Sequence, residues 1–338
     1  MESVFLVGLL TKSKGIMEDD LITIGFAGDV MIGRGVDAAI SNKGYVYPWG
    51  NVLPLLRNTD INIINLEAAL THSDKRVFKT FNFKATPDKV KTLTEASITA
   101  VNLANNHILD FSEEGLVETI QTLDKAYIKH VGAGMNEKEA QKPIILRKKD
   151  IAIGLLGFTD NESGWKAYAN SSGVNYIDIT KKDDRNKALD DLEKLSKNVD
   201  IVIVSIHWGP NMNEEPYRHF IDFAHAMIDQ GADIIHGHSA HNFQGIEVYN
   251  HKLILYDTGD FVDDYAVDPI LKNDHSFFFK VTLSRERIEK LELIPVLISN
   301  YQVNLATAKD FKWCIDRMQY LSTKFETKMS DRGEVFLF

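Results

Sequence analysis

The sequence predicts a layered α/β domain with a partly parallel central sheet, and three observations lead to this fold class. Short apolar runs alternate along the chain with amphipathic segments of helical period. The composition, 44% hydrophobic and 25% charged residues, is that of an ordinary globular protein. No stretch rich in Pro, Gly or Ser divides the 338 residues, and no internal repeat is visible. We therefore expect one domain over residues 21–338, preceded by a flexible tail at 1–20.

Six apolar runs predict buried strands, because turn or capping residues bound each of them. They lie at 21–28, 61–67, 97–104, 151–158, 200–209 and 232–238. Between them, amphipathic segments predict helices at 50–58, 87–96, 113–126, 184–197 and 216–230, the last ending at Gly231. Strand, helix and strand in succession favour parallel pairing through crossover connections.

The pattern changes after His241. The segments GIEVYN, KLILYD, HSFFFKVTL and IEKLELIPVLI follow one another with only short turns, which predicts antiparallel strands that complete a sheet. The segment 306–325 then has helical spacing, and the strand-like EVFLF follows it. We expect this helix and strand, at about 307–338, to close the domain.

Charge and cysteine content exclude several classes of protein. The formal net charge of −10 disfavours non-specific binding to nucleic acid or to an anionic membrane, so an anionic substrate needs a local positive source such as a metal ion. Cys314 is the single cysteine, which excludes an internal disulfide and a thiolate zinc site.

The segment MESVFLVGLL is too short to span a bilayer and lacks a basic lead or a cleavage site. It is interpreted as a tail, with Met17 as an alternative start, and the expected location is the cytoplasm without a membrane anchor.

Polar residues that suit metal ions recur at the ends of five predicted strands. In α/β sheets, functional groups gather where strands end and loops begin. Oxygen and imidazole ligands of this kind suit zinc, manganese or iron. The residues are Asp29, Glu67, Asn106 with His107, His207, and His238 with His241.

Each of these residues also has a purely structural explanation. Asp29 and Glu67 could cap the turns or helices that follow them. His207 could be a hydrogen-bonded core residue, and the histidines of IIHGHSAH could face solvent at a strand end. The recurrence at five strand ends is harder to explain in this way, and it favours one shared site.

The sequence resembles the bacterial poly-γ-glutamate capsule-synthesis (CapA) family, a branch of the calcineurin-like metallophosphoesterase superfamily. The resemblance runs from about Ile22 to the C-terminus. It is carried, in this order, by the segments GDVMIGRGV, INLEAALT, FNFKATP, LANNHILDF, SIHWGPNM and HGHSAHNFQGIEVYNHKLILYDTGDFVDDY.

The resemblance implies a four-layer α/β/β/α sandwich of the metallo-dependent phosphatase type, with a centre for one or two divalent ions (Mn, Zn or Fe). Asp29 and His241 would bind the first ion, and Glu67 would bridge both. The second ion would be completed by Asn106, His207 and His238.

The resemblance also implies roles beside the metal. His107 would be the general acid or would stabilise the transition state, with Asp110 orienting it. His236 has no firm counterpart in the family and is expected to order the ligands or to serve the structure. Two such ions about 4 Å apart can share a hydroxide and neutralise a phosphoryl group under attack.

Further polar residues suggest substrate contacts. Arg34 and Lys84 could hold an anionic group, the arginine through a bidentate fork and the lysine as a point charge, although Lys84 could equally be a solvated surface residue. The acidic residues of DTGDFVDDY could order the site or be turn and rim residues, and Asp260 is the one that we select as an outer contact of the ligands. The segment contains Asp257, Asp260, Asp263 and Asp264.

Two departures from the superfamily pattern bear on the metal. The usual Asp-x-His is Asp29-Val30-Met31 here, which removes an imidazole from the first ion and predicts one tight and one loose site. The last motif has His-x-x-His spacing instead of His-x-His.

Three functions follow as hypotheses. The first is a metal-dependent hydrolase, most plausibly a phosphoesterase, that acts on a small or polymeric anionic substrate. The second is an accessory protein that makes or binds poly-γ-glutamate and has a vestigial or structural metal site. The third is a binding module with a structural metal. The sequence leaves the oligomeric state open.

Overall fold

The computed structural model describes residues 20–337. The predicted tail at 1–20 lies outside the described residues except for Asp20, and so does the last residue of the predicted C-terminal strand. Within the described range, no helix is both long enough and apolar enough to cross a membrane.

The described chain alternates strands and helices. The strands are β1 (Ile22–Val30), β2 (Ile61–Leu66), β3 (Ala69–Leu70), β4 (Lys84–Ala85), β5 (Ala100–Asn102), β6 (Lys129–Val131), β7 (Ala133–Gly134), β8 (Ile144–Lys148), β9 (Ile151–Thr159), β10 (Gly173–Val174), β11 (Ile201–His207), β12 (Ile234–His238), β13 (Ile246–Tyr249), β14 (Lys252–Leu255), β15 (Asp260–Val262), β16 (His275–Leu283), β17 (Ile288–Ser299), β18 (Gln302–Leu305) and β19 (Glu334–Val335). The α-helices are α1 (Arg34–Lys43), α2 (Leu53–Arg57), α3 (Val90–Glu95), α4 (Ser112–Lys125), α5 (Glu137–Ala140), α6 (Lys182–Ser196), α7 (Arg218–Asp229) and α8 (Ala308–Ser322). Short 3-10 helices lie at Tyr47–Val52, Pro87–Lys89, Ser163–Trp165 and Thr323–Phe325.

Two large mixed sheets form the centre of the molecule. Sheet I has the strand order β18-β17-β16-β1-β2-β5-β6, with β15 also pairing β1 and β19 pairing β17. Its strands β1, β2, β5 and β6 are parallel, and β16 to β18 continue it in antiparallel pairing. Sheet II has the order β13-β14-β12-β11-β9-β8, with β14, β12, β11 and β9 parallel. Each sheet therefore has a parallel part and an antiparallel edge.

Three apolar cores hold the sheets and helices together. One core contains side chains from β1, β2 and β16 of sheet I and from β9, β11 and β12 of sheet II. A second contains the alternate side chains of β1 and β2 together with α1 to α4. The third contains the alternate side chains of β9, β11 and β12 together with α6 and α7. The two-residue period of a strand explains this division, because successive side chains point to opposite faces of a sheet.

The structure confirms the mixed α/β class and corrects some of the predicted elements. The strand expected at 97–104 is only Ala100–Asn102, and the helices expected at 50–58 and 87–96 begin as 3-10 turns with proline in the first turn. The expectation that the strands after His241 complete one sheet is wrong. β13 and β14 complete sheet II, whereas β16 and β17 complete sheet I. The change of sheet occurs where β15 crosses to pair with β1.

Candidate metal centre

The predicted ligands lie together at one edge of the two sheets. Asp29 is the penultimate residue of β1, and Glu67 directly follows β2. His207 and His238 are the last residues of the neighbouring strands β11 and β12, and they are paired in register. Because the carboxyl ends of parallel strands meet at the same edge, residues far apart in the sequence converge there.

A close backbone approach fixes Asp29. Gly28 lies so near the chain at Gly259 that a Cβ atom on Gly28 would come within 1.8 Å of the Gly259 carbonyl oxygen. The Asp29 amide donates to that oxygen at 2.9 Å. The parallel pairing of β1 with β15 then sets Asp29 opposite Asp260. The two glycines thus bring two carboxylates side by side.

We call Asp29, Glu67, His241 and Asp260 the carboxylate group. Each offers a ligand atom, and these atoms lie within 4.8 Å of one another. His241 Nδ1 lies 2.8 Å from Asp260 Oδ1 and 3.4 Å from Asp29 Oδ2. All four residues are buried. Asp260, predicted as an outer contact, therefore lies among the predicted ligands.

An unusual turn carries His241 back to Asp29. Ser239 has φ 120° and His241 has φ 61°, values in the left-handed half of the backbone map that non-glycine residues seldom adopt. Conformations of this kind cost about 1–3 kcal/mol each and persist only where the surroundings impose them. The His-x-x-His spacing is thereby accommodated by local backbone strain.

We call His207, His238 and Asn106, with Asp29 shared, the imidazole group. Ligand atoms of Asp29, His207 and His238 lie within 4.8 Å of one another. His207 Nδ1 and His238 Nδ1 are 2.9 Å apart, and Asn106 Oδ1 lies 3.1 Å from His207 Nε2. The structure therefore brings all six predicted metal ligands into two adjacent groups.

Hydrogen bonds assign the tautomer of His238. His236 Nε2 donates to the Ala27 carbonyl oxygen at 3.0 Å, so His236 Nδ1 accepts from the Ser205 hydroxyl at 3.2 Å. Ser205 Oγ then accepts from His238 Nε2 at 3.0 Å. Burial lowers the pKa of His236 to about 4, which keeps its ring neutral. His238 Nδ1 is therefore left without a proton and lies 2.9 Å from His207 Nδ1, and an unprotonated nitrogen is what a metal ligand requires.

The carboxylate group has too few donors for its oxygens. Asp29 Oδ2, Glu67 Oε1 and Asp260 Oδ2 are buried and accept no hydrogen bond from any residue in 20–337. Burial and the charge of Asp29 raise the pKa of Glu67 well above its usual value. Buried carboxylates without partners are costly unless a cation accompanies them. The donor set and the unpaired oxygens therefore fit a divalent metal ion.

His107 lies beside the metal groups and is oriented by Asp110. His107 Nδ1 and Asp110 Oδ2 are 2.6 Å apart, while His107 Nε2 lies 3.9 Å from Glu67 Oε1. The His107 ring stacks on Phe83, with ring centroids 3.9 Å apart. Because Nδ1 is engaged by Asp110, Nε2 is the atom free to exchange a proton with a bound molecule.

Lys79 pairs with Asp110 from the opposite side. Its Nζ lies 3.3 Å from Asp110 Oδ1 and also bonds the Asn106 carbonyl oxygen. Burial raises the pKa of Asp110 to about 7, and the charge of Lys79 opposes this rise. Burial and the same lysine charge lower the pKa of His107 well below its usual value. Lys79 thus contacts both the predicted acid–base pair and the loop of a predicted ligand.

The sequence reasoning missed three residues that position this site. Asn65 Nδ2 donates to Asp29 Oδ1 at 2.7 Å, and its Oδ1 accepts from Asn102 and Asn105. The Tyr265 hydroxyl donates to Glu67 Oε2 at 3.0 Å. Lys79 is the third. A buried asparagine within the apolar run INIINLE was the one signal available for Asn65, since such a side chain needs partners.

The predicted substrate contacts lie farther out. The Arg34 guanidinium pairs with Asp264 and lies 4.6 Å from the centroid of the Phe83 ring, at the rim of the site. Lys84 Nζ bonds Asp74 at 2.7 Å and the Ser73 carbonyl at 2.6 Å, which directs it to a surface loop.

The remaining acidic residues of DTGDFVDDY bond the backbone. Asp257 accepts from the amides of Ala240 and Gly259, on the two loops that carry His241 and Asp260. Asp263 accepts from the Tyr265 amide at 2.7 Å. These bonds order the loops at the edge of the site.

Fold and site together define a mixed α/β protein with a buried carboxylate and imidazole centre at the ends of parallel strands. The model of the bacterial capsule synthesis protein family, PGA_cap, matches residues 23–265. The chain belongs to this family, as the resemblance predicted.

Curated relatives agree with the family. A probable polyglutamine synthesis accessory protein of Mycobacterium tuberculosis is 30% identical, over 94% of this chain and 96% of the relative. The PGA biosynthesis protein CapA of Bacillus subtilis is 34% identical over 73% of this chain and 64% of its own length. The capsule biosynthesis protein CapA of Bacillus anthracis is 32% identical over 73% of this chain and 61% of its own length. The chain thus spans less than two thirds of the two Bacillus proteins.

Proposed function

We propose that this protein is an accessory factor in the synthesis of a poly-γ-glutamate capsule polymer and that it acts through its metal centre. The family match carries the proposal, because it covers most of the chain and the three relatives are named for polymer or capsule synthesis. This function was the second hypothesis from the sequence, and the relatives favour it over the phosphoesterase. A polyanionic partner would also suit a site that holds divalent cations. The cytoplasmic location stays a prediction.

The proposal includes the four-layer α/β/β/α sandwich of the metallophosphatase type. The three cores support this arrangement, since one lies between the sheets and the other two join each sheet to its helices. In this fold, the edge where Asp29 and His207 converge is the place for a metal centre.

In the proposed centre, Asp29, Glu67, Asn106, His207, His238 and His241 hold one or two divalent ions. When bound, the ions supply positive charge and an activated water for attack on an ester or amide. The protein positions the rest. Tyr265 and Asn65 orient the carboxylates of Glu67 and Asp29, and Asp110 holds His107 with Nε2 toward the centre.

Hydrolysis of an anionic substrate, such as a phosphate ester, is the second candidate function. The His107–Asp110 pair favours it, because a site kept only for structure has no need of an oriented imidazole that is spared from coordination. Under this hypothesis His107 Nε2 would exchange a proton with the substrate or stabilise the transition state, and Arg34 at the rim would contact the anion.

A binding experiment tests the accessory function. Isothermal titration of the metal-loaded protein with poly-γ-glutamate of defined length should give saturable binding, with poly-α-glutamate as the control of equal charge. Saturable binding of the γ-linked polymer that is at least about tenfold tighter than that of the control supports the proposal. Equal affinity for both polymers, or no binding to either, contradicts it.

A substrate panel with added Mn²⁺ tests hydrolysis. We expect release of phosphate or of an alcohol from at least one ester, and a loss of about 10²–10⁴-fold in the rate for His107→Gln. Turnover that is unchanged in His107→Gln, or absent from the whole panel, contradicts this second candidate.

A further inference from the structure

The two metal groups differ in donor chemistry. The carboxylate group offers three carboxylates and one imidazole, whereas the imidazole group offers two imidazoles and an amide oxygen beside the shared Asp29. We propose that the two positions select different metals: the carboxylate group binds a hard ion such as Mn²⁺, with Asp260 as a direct ligand, and the imidazole group binds Zn²⁺. This inference rests on the metal centre of the proposed function.

The position of Asp260 supports its role as a ligand. It begins β15, which pairs with β1 so that Asp260 lies opposite Asp29. Asp260 Oδ1 forms a hydrogen bond with His241 Nδ1 at 2.8 Å. Asp260 Oδ2 is buried and accepts no hydrogen bond from residues 20–337. Asp263 also has a buried oxygen without a donor, but only Asp260 offers an oxygen within 4.8 Å of ligand atoms of Asp29, Glu67 and His241 among the described residues.

Met31 explains why another ligand is needed. It stands where the superfamily pattern has a histidine, yet its side chain is fully buried in the core between sheet I and α1 to α4. Its sulfur accepts from the Gly33 amide at 3.1 Å. The position therefore contributes to packing and offers nothing to the first ion. Asp260, on β15 near the end of the matched region, supplies a ligand to this ion in place of the missing histidine.

The exchange of an imidazole for a carboxylate changes the preferred metal. Carboxylate oxygens suit hard ions such as manganese, while imidazole suits zinc. Three carboxylates against one imidazole also leave the first position with excess negative charge, which a divalent ion neutralises. The carboxylate group therefore prefers a hard ion such as Mn²⁺. The missing histidine then changes which metal this group selects, instead of leaving a loosely bound ion.

Metal analysis of the full chain tests the wild-type protein. The chain is stripped with chelator, dialysed against equimolar Mn²⁺ and Zn²⁺, and analysed for both elements. We expect about one equivalent of each. Pulsed electron paramagnetic resonance of the bound Mn²⁺ should then show hyperfine coupling to a single imidazole nitrogen.

Matched variants test Asp260 itself. Asp260→Asn keeps the shape and removes the charge, so we expect Mn²⁺ affinity to fall by more than the roughly 100-fold that marks the upper limit for loss of an outer contact, with Zn²⁺ affinity changed by less than about threefold. Asp263→Asn is the control, because Asp263 is a buried carboxylate of the same segment that lies outside both groups. We expect it to change neither affinity. His238→Gln should lower Zn²⁺ binding and retain Mn²⁺.

The outcomes separate this inference from the proposed function. Two equivalents of one metal in the wild type, or two imidazole nitrogens on Mn²⁺, overturn the selection of metals. In a folded Asp260→Asn variant, an Mn²⁺ affinity that is unchanged, or that falls by only about 10–100-fold as for an outer contact, overturns the role of Asp260 as a ligand. If Asp260→Asn does not fold, the nitrogen count on wild-type Mn²⁺ still decides. Absence of both metals from the wild type overturns the metal centre, and this inference falls with it.

Discussion

Two buried polar clusters lie side by side in this protein, and they are completed to different degrees. In the first, both oxygens of Asp110 are bonded, one by His107 and the Phe83 amide and the other by Lys79. In the carboxylate group, three carboxylates each keep one oxygen without a hydrogen bond from residues 20–337. One cluster has a hydrogen-bond partner for each carboxylate oxygen, whereas the other has too few donors for its three carboxylates.

The difference shows that the fold retains buried carboxylates without partners in the carboxylate group, although their burial lowers the stability of the folded protein. Unpaired buried charge normally shifts its pKa or recruits a partner, and the raised pKa of Glu67, which burial and Asp29 produce, reflects this pressure. The cluster persists because the backbone imposes it, through the close approach of Gly28 to Gly259 and the strained turn at His241. The carboxylate group is thus expected to destabilise the metal-free protein.

The largest effect should come from adding the metal. If the folded carboxylate group binds Mn²⁺ as proposed and the unfolded chain does not, a thousandfold excess over the dissociation constant should stabilise the protein by about 4 kcal/mol. Thermal unfolding with chelator and with Mn²⁺ measures this. KCl at equal ionic strength is the control for general salt effects. No Mn²⁺-dependent rise in Tm would mean that the two clusters do not differ as described.

Removing one unpaired charge should also stabilise the metal-free protein. Because the pKa of Glu67 is raised in the folded state, its wild-type contribution to stability falls as pH rises above about 4.5. Glu67→Gln should therefore gain about 1–3 kcal/mol at pH 8 and little at pH 4.

Chemical denaturation at both pH values measures the gain from Glu67→Gln. The surface variant Glu113→Gln is the control, since Glu113 is exposed in the first turn of α4. Equal or lower stability of Glu67→Gln at pH 8 would contradict the comparison.

Removing the cation from the completed cluster should have the opposite sign. Lys79→Met leaves Asp110 buried without its ion pair, so we expect a loss of about 1–2 kcal/mol and an Asp110 pKa above its value of about 7. Carboxyl-detected NMR titration and thermal unfolding measure both quantities. Lys79→Arg should retain most of the stability, and a Lys79→Met variant as stable as the wild type would show that Asp110 does not depend on this cation.

The smallest effect on metal binding is expected at His236. His236→Gln disturbs the bonds to Ala27 and Ser205, at a cost of about 1 kcal/mol, but removes no member of either metal group. Elemental analysis should find the wild-type metal content. His238→Gln is the matched contrast, from the same strand and with a ring of the same burial. Loss of metal in both variants would show that His236 is itself a ligand.

The fold was predictable from the sequence where local pattern decides it. The strands that became β1, β2, β9, β11 and β12 were predicted within a few residues, because their apolar runs are long and clearly bounded. The division of the later strands between two sheets was not predictable. Pairing of β15 with β1 depends on contact between distant segments, which no local period encodes.

The candidate site divides in the same way. The rule that functional groups follow strand ends predicted which residues would be brought together, although their roles as ligands stay predictions. Lys79 lies in the loop before β4 and Lys84 is the first residue of that strand. The sequence alone could not tell that Lys79 faces the centre while Lys84 pairs with Asp74. Tertiary contacts decide the direction of such side chains. The same holds for Tyr265, whose hydroxyl donates to Glu67.

The pairing of β15 with β1 also determines when, during synthesis of the chain, the centre can form. Arg34 and Asp264, which flank the paired strands, are 230 residues apart in the sequence. A ribosome adds about 5–20 residues per second, so about 10–50 s pass between the synthesis of the two ends. For most of this interval the nascent chain contains Asp29 and Glu67 but not yet His241 and Asp260, the other two members of the carboxylate group. The carboxylate group that we propose to bind a metal is therefore complete only after β15 has been synthesised.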